Sequence, residues 1–253
     1  MRSSIYFFLI FSFIFFQCKK NTEFPEEYPN SQEPYSHNGD AGSSAKDFLR
    51  SSIFKSLKIE IQYMPGLEPD AIAIGMFVDL LQERLNKPAG IFVELRQIDP
   101  TLKTIFTTDD ISDVESRNRT VFTNGNQLGA YILIVNGAYF NGSILGLAYK
   151  NTSVCLFGEP INFFSIGITD NKKAKLIAML LEHEFGHLFG LVDMGTFMSV
   201  DHLDAENGNH CDNSICLMHH TYEANTLEFA RNFVEIPVFD ANCIADMHAN
   251  GGK

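Results

Sequence analysis

The chain has 253 residues, of which 19 are lysine or arginine and 31 are aspartate or glutamate, giving a formal net charge of −12. Binding to nucleic acid needs a basic face, so this balance argues against a nucleic-acid partner. The acidic groups are expected to form a solvated surface. The length allows one domain with a sizeable core behind an N-terminal leader, and we expect a monomer.

The N-terminus carries a short apolar stretch, residues 5–16, preceded by Arg2 and followed by Gln17 and Cys18. It is too short to span a bilayer, so residues 1–17 are predicted to be a signal peptide. A cysteine directly after such a stretch resembles the lipoprotein signal. That resemblance implies a lipidated Cys18 that anchors the protein to a bacterial membrane at the cell envelope, on the periplasmic or outer surface. An uncleaved anchor and ordinary secretion are the alternatives.

Residues 18–47 are predicted to be the lipidated cysteine and a flexible tether. Acidic residues, prolines and glycines dominate the segment from residue 21, and it has little apolar periodicity. The folded domain is therefore expected to cover residues 48–253.

Apolar patterning predicts alternating strands and helices in this domain. Residues 58–63 alternate charged and apolar side chains as a half-buried strand does, and residues 68–86 form an amphipathic pattern with Ile72, Met76, Leu80 and Leu81 at helical spacing. Residues 128–135 are a continuous apolar run, which predicts a buried central strand. Further strands are predicted at 91–98, 143–149 and 154–157, and a helix begins near residue 172, with Asp170 as its candidate cap.

The most informative motif is H-E-x-x-H-x-x-G, which runs from His183 to Gly190 at the end of that helix. His183 and His187 lie one turn apart on one helix face, so both can bind one metal ion. Glu184 is placed to take a proton from water that the metal has acidified. Gly190 can end the helix in a left-handed turn. The pattern predicts a zinc (Zn2+) peptidase; the alternative is a helix with ordinary histidines and a solvated glutamate.

A second motif, H-C-x4-C-x-M, runs from His210 to Met218. With both motifs the chain resembles the metzincins, and among them the archaemetzincins, in which the two motifs are continuous. It also resembles lipid-anchored metalloproteases of Bacteroidetes-type bacteria. Here residues 191–209 separate the motifs, which we interpret as an insertion.

The resemblance implies a third zinc ligand after the helix, and three residues compete for it. His210 stands at the family offset within the second motif and is favoured. Asp193 stands at the usual metzincin distance from His187 and comes next. His202 lies in the insertion, where a surface-loop histidine or a group that holds another ligand is the preferred interpretation.

The resemblance also implies that Met218 packs below the metal without binding it. His220 stands where some metzincins place a tyrosine near the zinc, so it is either an electrophile or a solvent-facing side chain. The four cysteines after Cys18 suggest two disulfides in an exported protein, with three possible pairings, and Cys211–Cys216 is favoured because it would brace the turn that carries His210 and Met218. The resemblance to archaemetzincins implies a second, structural zinc here instead, but that site needs a downstream C-x-x-C that this chain lacks, so it is the less favoured alternative.

The implied fold is α/β (α+β), a metzincin-like zincin fold with a mixed twisted sheet, an active-site helix and a small irregular C-terminal subdomain. Residues 143–149 resemble the edge strand that binds substrate in this fold, although Gly146 can equally mark a bulge or tight helix packing. The implied function is zinc-dependent endopeptidase activity on proteins or peptides, with His183, His187 and His210 as ligands and Glu184 as the base. A surface-displayed binding module and a zinc amidase acting on cell-wall peptides are the alternatives.

Overall fold

A computed structural model of the chain describes residues 34–142, 144–223 and 234–253. The chain divides into the units Met1–Pro34 and Tyr35–Lys253. The predicted signal peptide, Cys18 and the first part of the tether lie outside the described residues. Within the described ranges, no helix is both long enough and apolar enough to cross a membrane.

The second unit is built on a five-stranded mixed sheet with strand order β2-β1-β4-β7-β6. Strands β2, β1, β4 and β7 are parallel, and β6 joins β7 in the antiparallel direction at one edge. Two shorter strands, β3 and β5, form a separate parallel pair. The strands are β1 Ser56–Tyr63, β2 Ile91–Gln97, β3 Ile105–Phe106, β4 Gln127–Val135, β5 Ala138–Tyr139, β6 Gly146–Lys150 and β7 Ser153–Phe157. The α/β class and the mixed sheet expected from the sequence are confirmed.

Six α-helices surround this sheet in the described residues. They are α1 Ala45–Leu49, α2 Ala71–Arg84, α3 Thr108–Asn118, α4 Gly158–Phe164, α5 Asp170–Leu188 and α6 Ala241–Ala249. Helices α2 and α5 share the larger apolar core with one face of the sheet. Helix α3 shares a smaller core with the other face, through Ile111 and Val114. The sheet is therefore covered on both faces, as its parallel strands require.

Strand β1 departs from the predicted half-buried pattern. Both Glu60 and Gln62 are fully buried, because the segment that follows α3 covers the face expected to meet solvent. The carboxylate of Glu60 accepts hydrogen bonds from the backbone N–H groups of Thr120 at 2.7 Å and Val121 at 2.9 Å. Burial favours its neutral form, but these donors hold the pKa of Glu60 below its usual value. Glu60 and Gln62 thus hold the end of α3 and the segment after it against the sheet instead of facing water.

Helix α2 lies where an amphipathic helix was predicted, but its buried face is rotated. Its core positions are Ala73, Phe77 and Leu81, whereas Ile72 is 51% exposed. Of the four predicted positions only Leu81 is fully buried. The buried face of the helix runs through Ala73, Phe77 and Leu81, which are spaced four residues apart and so lie on one side of the helix.

The compact unit begins earlier than the predicted boundary at residue 48, so residues 35–47 are not a flexible tether. The hydroxyl of Tyr35 donates to Asp47 at 2.8 Å. The buried ring of His37 lies 2.7 Å from the hydroxyl of Thr152 and 3.0 Å from the guanidinium of Arg119. Apolar periodicity does not reveal polar contacts of this kind, so the sequence pattern indicated a tether where the chain is in fact packed.

Candidate metal centre

Helix α5 carries the first motif and has well-defined ends. Its N-cap is Thr169, whose hydroxyl accepts from the backbone N–H of Lys172, so the predicted cap Asp170 is instead the first helical residue. At the other end, Gly190 has a φ of 73°, and its N–H donates to the carbonyl of His187 at 3.0 Å. The next N–H donates to the carbonyl of Gly186 at 3.2 Å, which completes a Schellman motif. The left-handed turn predicted at Gly190 is confirmed.

The two helix histidines project from one face of α5 into the protein. The ring centroids of His183 and His187 are 4.9 Å apart, and both side chains are buried. The Nδ1 atom of His183 lies 2.7 Å from the carbonyl oxygen of Leu217, so it carries the hydrogen. This contact directs Nε2 of His183 inward, where it has no hydrogen-bond partner among the described residues. A buried nitrogen lone pair of this kind is a ready metal ligand.

The third imidazole at this site is that of His210. Its ring centroid lies 5.4 Å from that of His183 and 5.2 Å from that of His187. Its Nδ1 is held by the carbonyl oxygens of Gly208 at 2.8 Å and Asn207 at 3.2 Å. The end of the insertion therefore orients His210 towards the helix pair.

The competing residues lie elsewhere. Asp193 is exposed, with a φ of 66°, and it is not among the residues whose donor atoms converge with the helix histidines. His202 is buried in a separate cluster. Of the three candidates, the structure brings only His210 to His183 and His187.

Glu223 joins the three histidines and was missed by sequence reasoning. One donor atom from each of the four residues lies within 4.8 Å of the others. Its Oε2 is 2.8 Å from Nε2 of His210 and 3.9 Å from Nε2 of His183. Glu223 follows the second motif at a position that the motif does not specify, so its spacing gave no signal.

This donor set fits a zinc ion. Rings about 5 Å apart match imidazoles that share a metal at about 2.0–2.1 Å from each nitrogen. Imidazole nitrogens with a carboxylate suit zinc better than calcium or magnesium, which prefer all-oxygen sites. Burial, and then the neighbouring ring of His183, lower the pKa of His187 and favour its neutral form, which is the form that binds metal.

Glu184 lies beside this cluster and is fully buried. Burial raises its pKa well above the usual value, the nearby Glu223 carboxylate raises it further, and the N–H of Ala148 partly counteracts both. Its carboxylate packs on Gly146 of strand β6, where a Cβ would lie 2.9 Å from both Cγ and Cδ of Glu184. Of the two interpretations of Gly146, the structure shows tight packing against the helix.

Met218 lies beneath the helix turn that carries the two histidines. It is fully buried, and its sulfur occupies the space that a side chain at Gly186 would need. His220, by contrast, is one-third exposed and pairs with Asp204, its Nδ1 lying 3.2 Å from the carboxylate. The ring of His220 is 6.4 Å from that of His210, so it lies beside the cluster without joining it.

The predicted disulfide between Cys211 and Cys216 is wrong. Both are free thiols. Cys211 and Cys243 converge with His202 and Asp240 in a second group of donor atoms, and Cys216 adjoins this group through Cys243. Nδ1 of His202 lies 3.3 Å from Sγ of Cys211 and 4.0 Å from Sγ of Cys243, which is 3.6 Å from Sγ of Cys216. The carboxylate of Asp246 lies 3.0 Å from Nε2 of His202. His202 is thus neither a surface residue nor part of the first cluster.

Three thiols and an imidazole held by a carboxylate form a donor set typical of structural zinc. The carboxylate of Asp240 is also one of the converging donors, and it lies 3.5 Å from Sγ of Cys211. Backbone N–H groups of Met218 and Asp240 each lie 3.4 Å from Sγ of Cys216, and contacts with the other two thiols lower the pKa of Cys216 to about 4. A zinc site at these cysteines therefore does not need a downstream C-x-x-C, because His202 of the insertion supplies the fourth donor.

A cleft of about 200 Å³ opens onto the histidine cluster. Leu147 and Ala148 of edge strand β6 line one side, and Asn207, Gly208 and Asn209 of the insertion line another. Glu184 and Glu223 both border it. An extended chain entering this cleft would lie along a strand edge and meet the buried carboxylate.

Comparisons with family models and with curated proteins found no match. Among solved structures, the chain is similar to archaemetzincin (amzA) from Methanopyrus kandleri, with a TM-score of 0.51 and 14% identity over 78% of this chain and 96% of that one. The chain has an archaemetzincin-like fold. It also matches metalloproteinase-II from Bacteroides fragilis, with a TM-score of 0.41 and 14% identity over 87% of this chain and 58% of that one.

Proposed function

We propose that this chain is a zinc-dependent endopeptidase that hydrolyses peptide bonds of proteins or peptides. The observation that carries the proposal is the convergence of His183, His187 and His210 beside the buried carboxylate of Glu184. A structural site does not need a second carboxylate packed beside its ligands, whereas peptide hydrolysis needs a group that moves a proton.

The three histidines would hold the ion, which when bound polarises a peptide carbonyl and acidifies water. Glu184 accepts a proton from the attacking water at a carboxylate oxygen and passes it to the leaving amine nitrogen. Burial raises the pKa of Glu184, which makes its carboxylate a stronger proton acceptor for the first step. Packing on Gly146 fixes the carboxylate in place.

Strand β6 supplies the substrate-binding edge in this proposal. It is the last strand in the sheet order, and two of its residues line the cleft. An extended peptide can add to such an edge through backbone hydrogen bonds, which holds the chain without requiring particular side chains.

The proposed place of action is the cell envelope. Its support is the apolar stretch of residues 5–16 followed by Cys18, which suits cleavage and lipidation. Anchoring through Cys18 would keep the peptidase at a bacterial membrane, where protein or peptide substrates reach it.

We also propose that the cluster of Cys211, Cys216, Cys243 and His202 holds a second, structural zinc. Its support is the burial of all four side chains and the Asp246 carboxylate behind the imidazole. Thiolate ligands with no open position suit a structural site, whose binding free energy contributes directly to folding.

The test is hydrolysis of a peptide library by the full-length, zinc-loaded protein, with Glu184→Gln as the critical variant. Glu182→Gln is the matched control, because Glu182 is the preceding residue of the same helix and is also buried. Burial raises the pKa of Glu182 to about 8, so glutamine closely imitates its neutral form at pH 7. We expect Glu184→Gln to lose about 10²–10⁴-fold in rate, while Glu182→Gln stays near wild type.

Cleavage that vanishes with a chelator and in Glu184→Gln supports the proposal. A folded, zinc-loaded wild type that cleaves no peptide would refute it and favour a binding module. Cleavage restricted to cell-wall peptides would favour a zinc amidase.

A further inference from the structure

Glu223 has no role in the mechanism above, yet backbone hydrogen bonds hold it in a defined position. Its backbone N–H donates to the carbonyl of His220 at 3.2 Å, and its carbonyl accepts from the N–H of Leu145 at 3.1 Å. The second contact ties it to the residue just before edge strand β6. Its side chain is 15% exposed, against 79% for Glu235. These restraints place its carboxylate at the histidine cluster.

When His210 is neutral, its contact with Glu223 brings two hydrogen-bond acceptors together. Nδ1 of His210 faces the carbonyl oxygens of Asn207 and Gly208, which accept only, so Nδ1 carries the ring hydrogen. In the neutral imidazole Nε2 is then a lone pair, and it lies 2.8 Å from Oε2 of Glu223. Two such atoms repel at this distance unless a cation lies between them.

A proton on His210 would resolve that contact but not the one with His183. There too Nδ1 faces a carbonyl, that of Leu217, so Nε2 presents a second lone pair towards Oε2 of Glu223, at 3.9 Å. This Nε2 is buried and has no hydrogen-bond partner in the described part of the chain. One metal ion bound by Oε2 of Glu223 and by Nε2 of both His183 and His210 would give each of these three atoms a partner.

We propose that Glu223 is a fourth protein ligand of this metal and closes the coordination position that catalytic zinc sites leave open. The inference rests on the proposed function, because it takes the histidine cluster to be the metal site. Structural sites have four protein ligands and catalytic sites have three with one open position, so a site closed by Glu223 is a resting state. Water or a peptide carbonyl would then have to displace Oε2 or enter as a fifth ligand, and Glu223 lines the cleft from which either would approach.

The test uses the full-length protein loaded with Co(II), with sodium azide as the probe of an open position. The variants are Glu223→Gln, which keeps the shape, and Glu223→Asp, which keeps the charge but shortens the reach. The matched control is Glu206→Gln, which removes an exposed charge from the insertion. A His187→Ala variant gives the spectrum of cobalt at the cysteine cluster alone, for subtraction. Zinc affinity is measured in parallel by chelator competition.

We expect azide to alter the visible spectrum of both Glu223 variants at concentrations that leave wild type and Glu206→Gln unchanged. Zinc affinity of Glu223→Gln should fall by at least the roughly 10–100-fold that loss of an outer-shell partner costs. If Glu223→Gln does not fold by circular dichroism, the Glu223→Asp result decides.

Equal azide binding by wild type and the Glu223 variants, or unchanged zinc affinity, would overturn the inference and leave the proposed peptidase intact. If wild type binds no more cobalt than His187→Ala, the histidine cluster is not a metal site and the proposed function itself fails.

Discussion

Replacing Gly146 by alanine tests how the buried carboxylate of Glu184 is held. The added Cβ would lie 2.9 Å from both Cγ and Cδ of Glu184 and would overlap its Oε1. Real Cβ atoms do not approach this closely, so either strand β6 moves away from helix α5 or Glu184 leaves its position. Such overpacking costs about 1–3 kcal/mol of stability.

The larger effect should be on catalysis. A displacement of about 1 Å in a reacting group can cost on the order of 10²-fold in rate. We therefore expect kcat/KM for peptide hydrolysis to fall by about 10²-fold in Gly146→Ala. Zinc affinity should stay near wild type, because the three atoms nearest the added Cβ all belong to Glu184 and none to a histidine.

The matched control is Gly75→Ala in helix α2, where an added Cβ meets nothing within 4 Å. That variant should keep full activity and gain up to about 1 kcal/mol, because alanine is the better helix former. Both proteins would be compared by peptide hydrolysis, chelator competition and chemical unfolding. A Gly146→Ala protein that cleaves peptides at the wild-type rate would refute the view that Gly146 positions Glu184.

Three further predictions concern packing, pH and metal. Gly186→Ala should cost about 1–3 kcal/mol in urea unfolding, because its Cβ would displace the sulfur of Met218; wild-type stability would contradict this. Burial, and then the charge of Arg119, lower the pKa of His37 from 6.5 to about 4. As the pH falls, His37 therefore takes up its proton in the unfolded chain before it does so in the folded protein. The free energy of unfolding should fall as the pH drops from 6.5 through 4, by at most about 3 kcal/mol. His37→Asn should flatten that dependence, and an equally steep profile would exclude His37 as its source. Cys243→Ser should lower bound zinc by about one equivalent per chain in metal analysis, and undiminished zinc would argue against the second centre.

The parts of the fold that sequence predicted are those whose signal is local and apolar. Strand β4 was evident because its residues form an uninterrupted apolar run, and α5 because it combines such a run with the H-E-x-x-H spacing. Helix α3 was missed because it is mostly polar and buries only Ile111, Val114 and Glu115. Its start did carry a signal, the capping box formed by Thr107 and Asp110.

The residues of the candidate site also divide into those that a local motif predicts and those that only the fold brings together. His183, Glu184 and His187 lie within two helical turns, so their proximity follows from helix geometry alone. His202, Glu223 and Cys243 are brought to their clusters by the path of the chain after α5, which no local pattern records. The disulfide expectation failed for this reason, because counting cysteines could not reveal that a histidine from the insertion completes their cluster.

The insertion that separates the two motifs reaches both clusters. Its His202 lies among the cysteines, and the carbonyls of its Asn207 and Gly208 hold the ring of His210. Cys211, next along the chain from His210, belongs to the other cluster. Under the two-zinc proposal, removing the metal from the cysteines would free both ends of the loop that orients His210. Thiol oxidation at the cysteines would then weaken metal binding at the histidines, so under this proposal the redox state of the thiols would govern whether the histidine site is assembled.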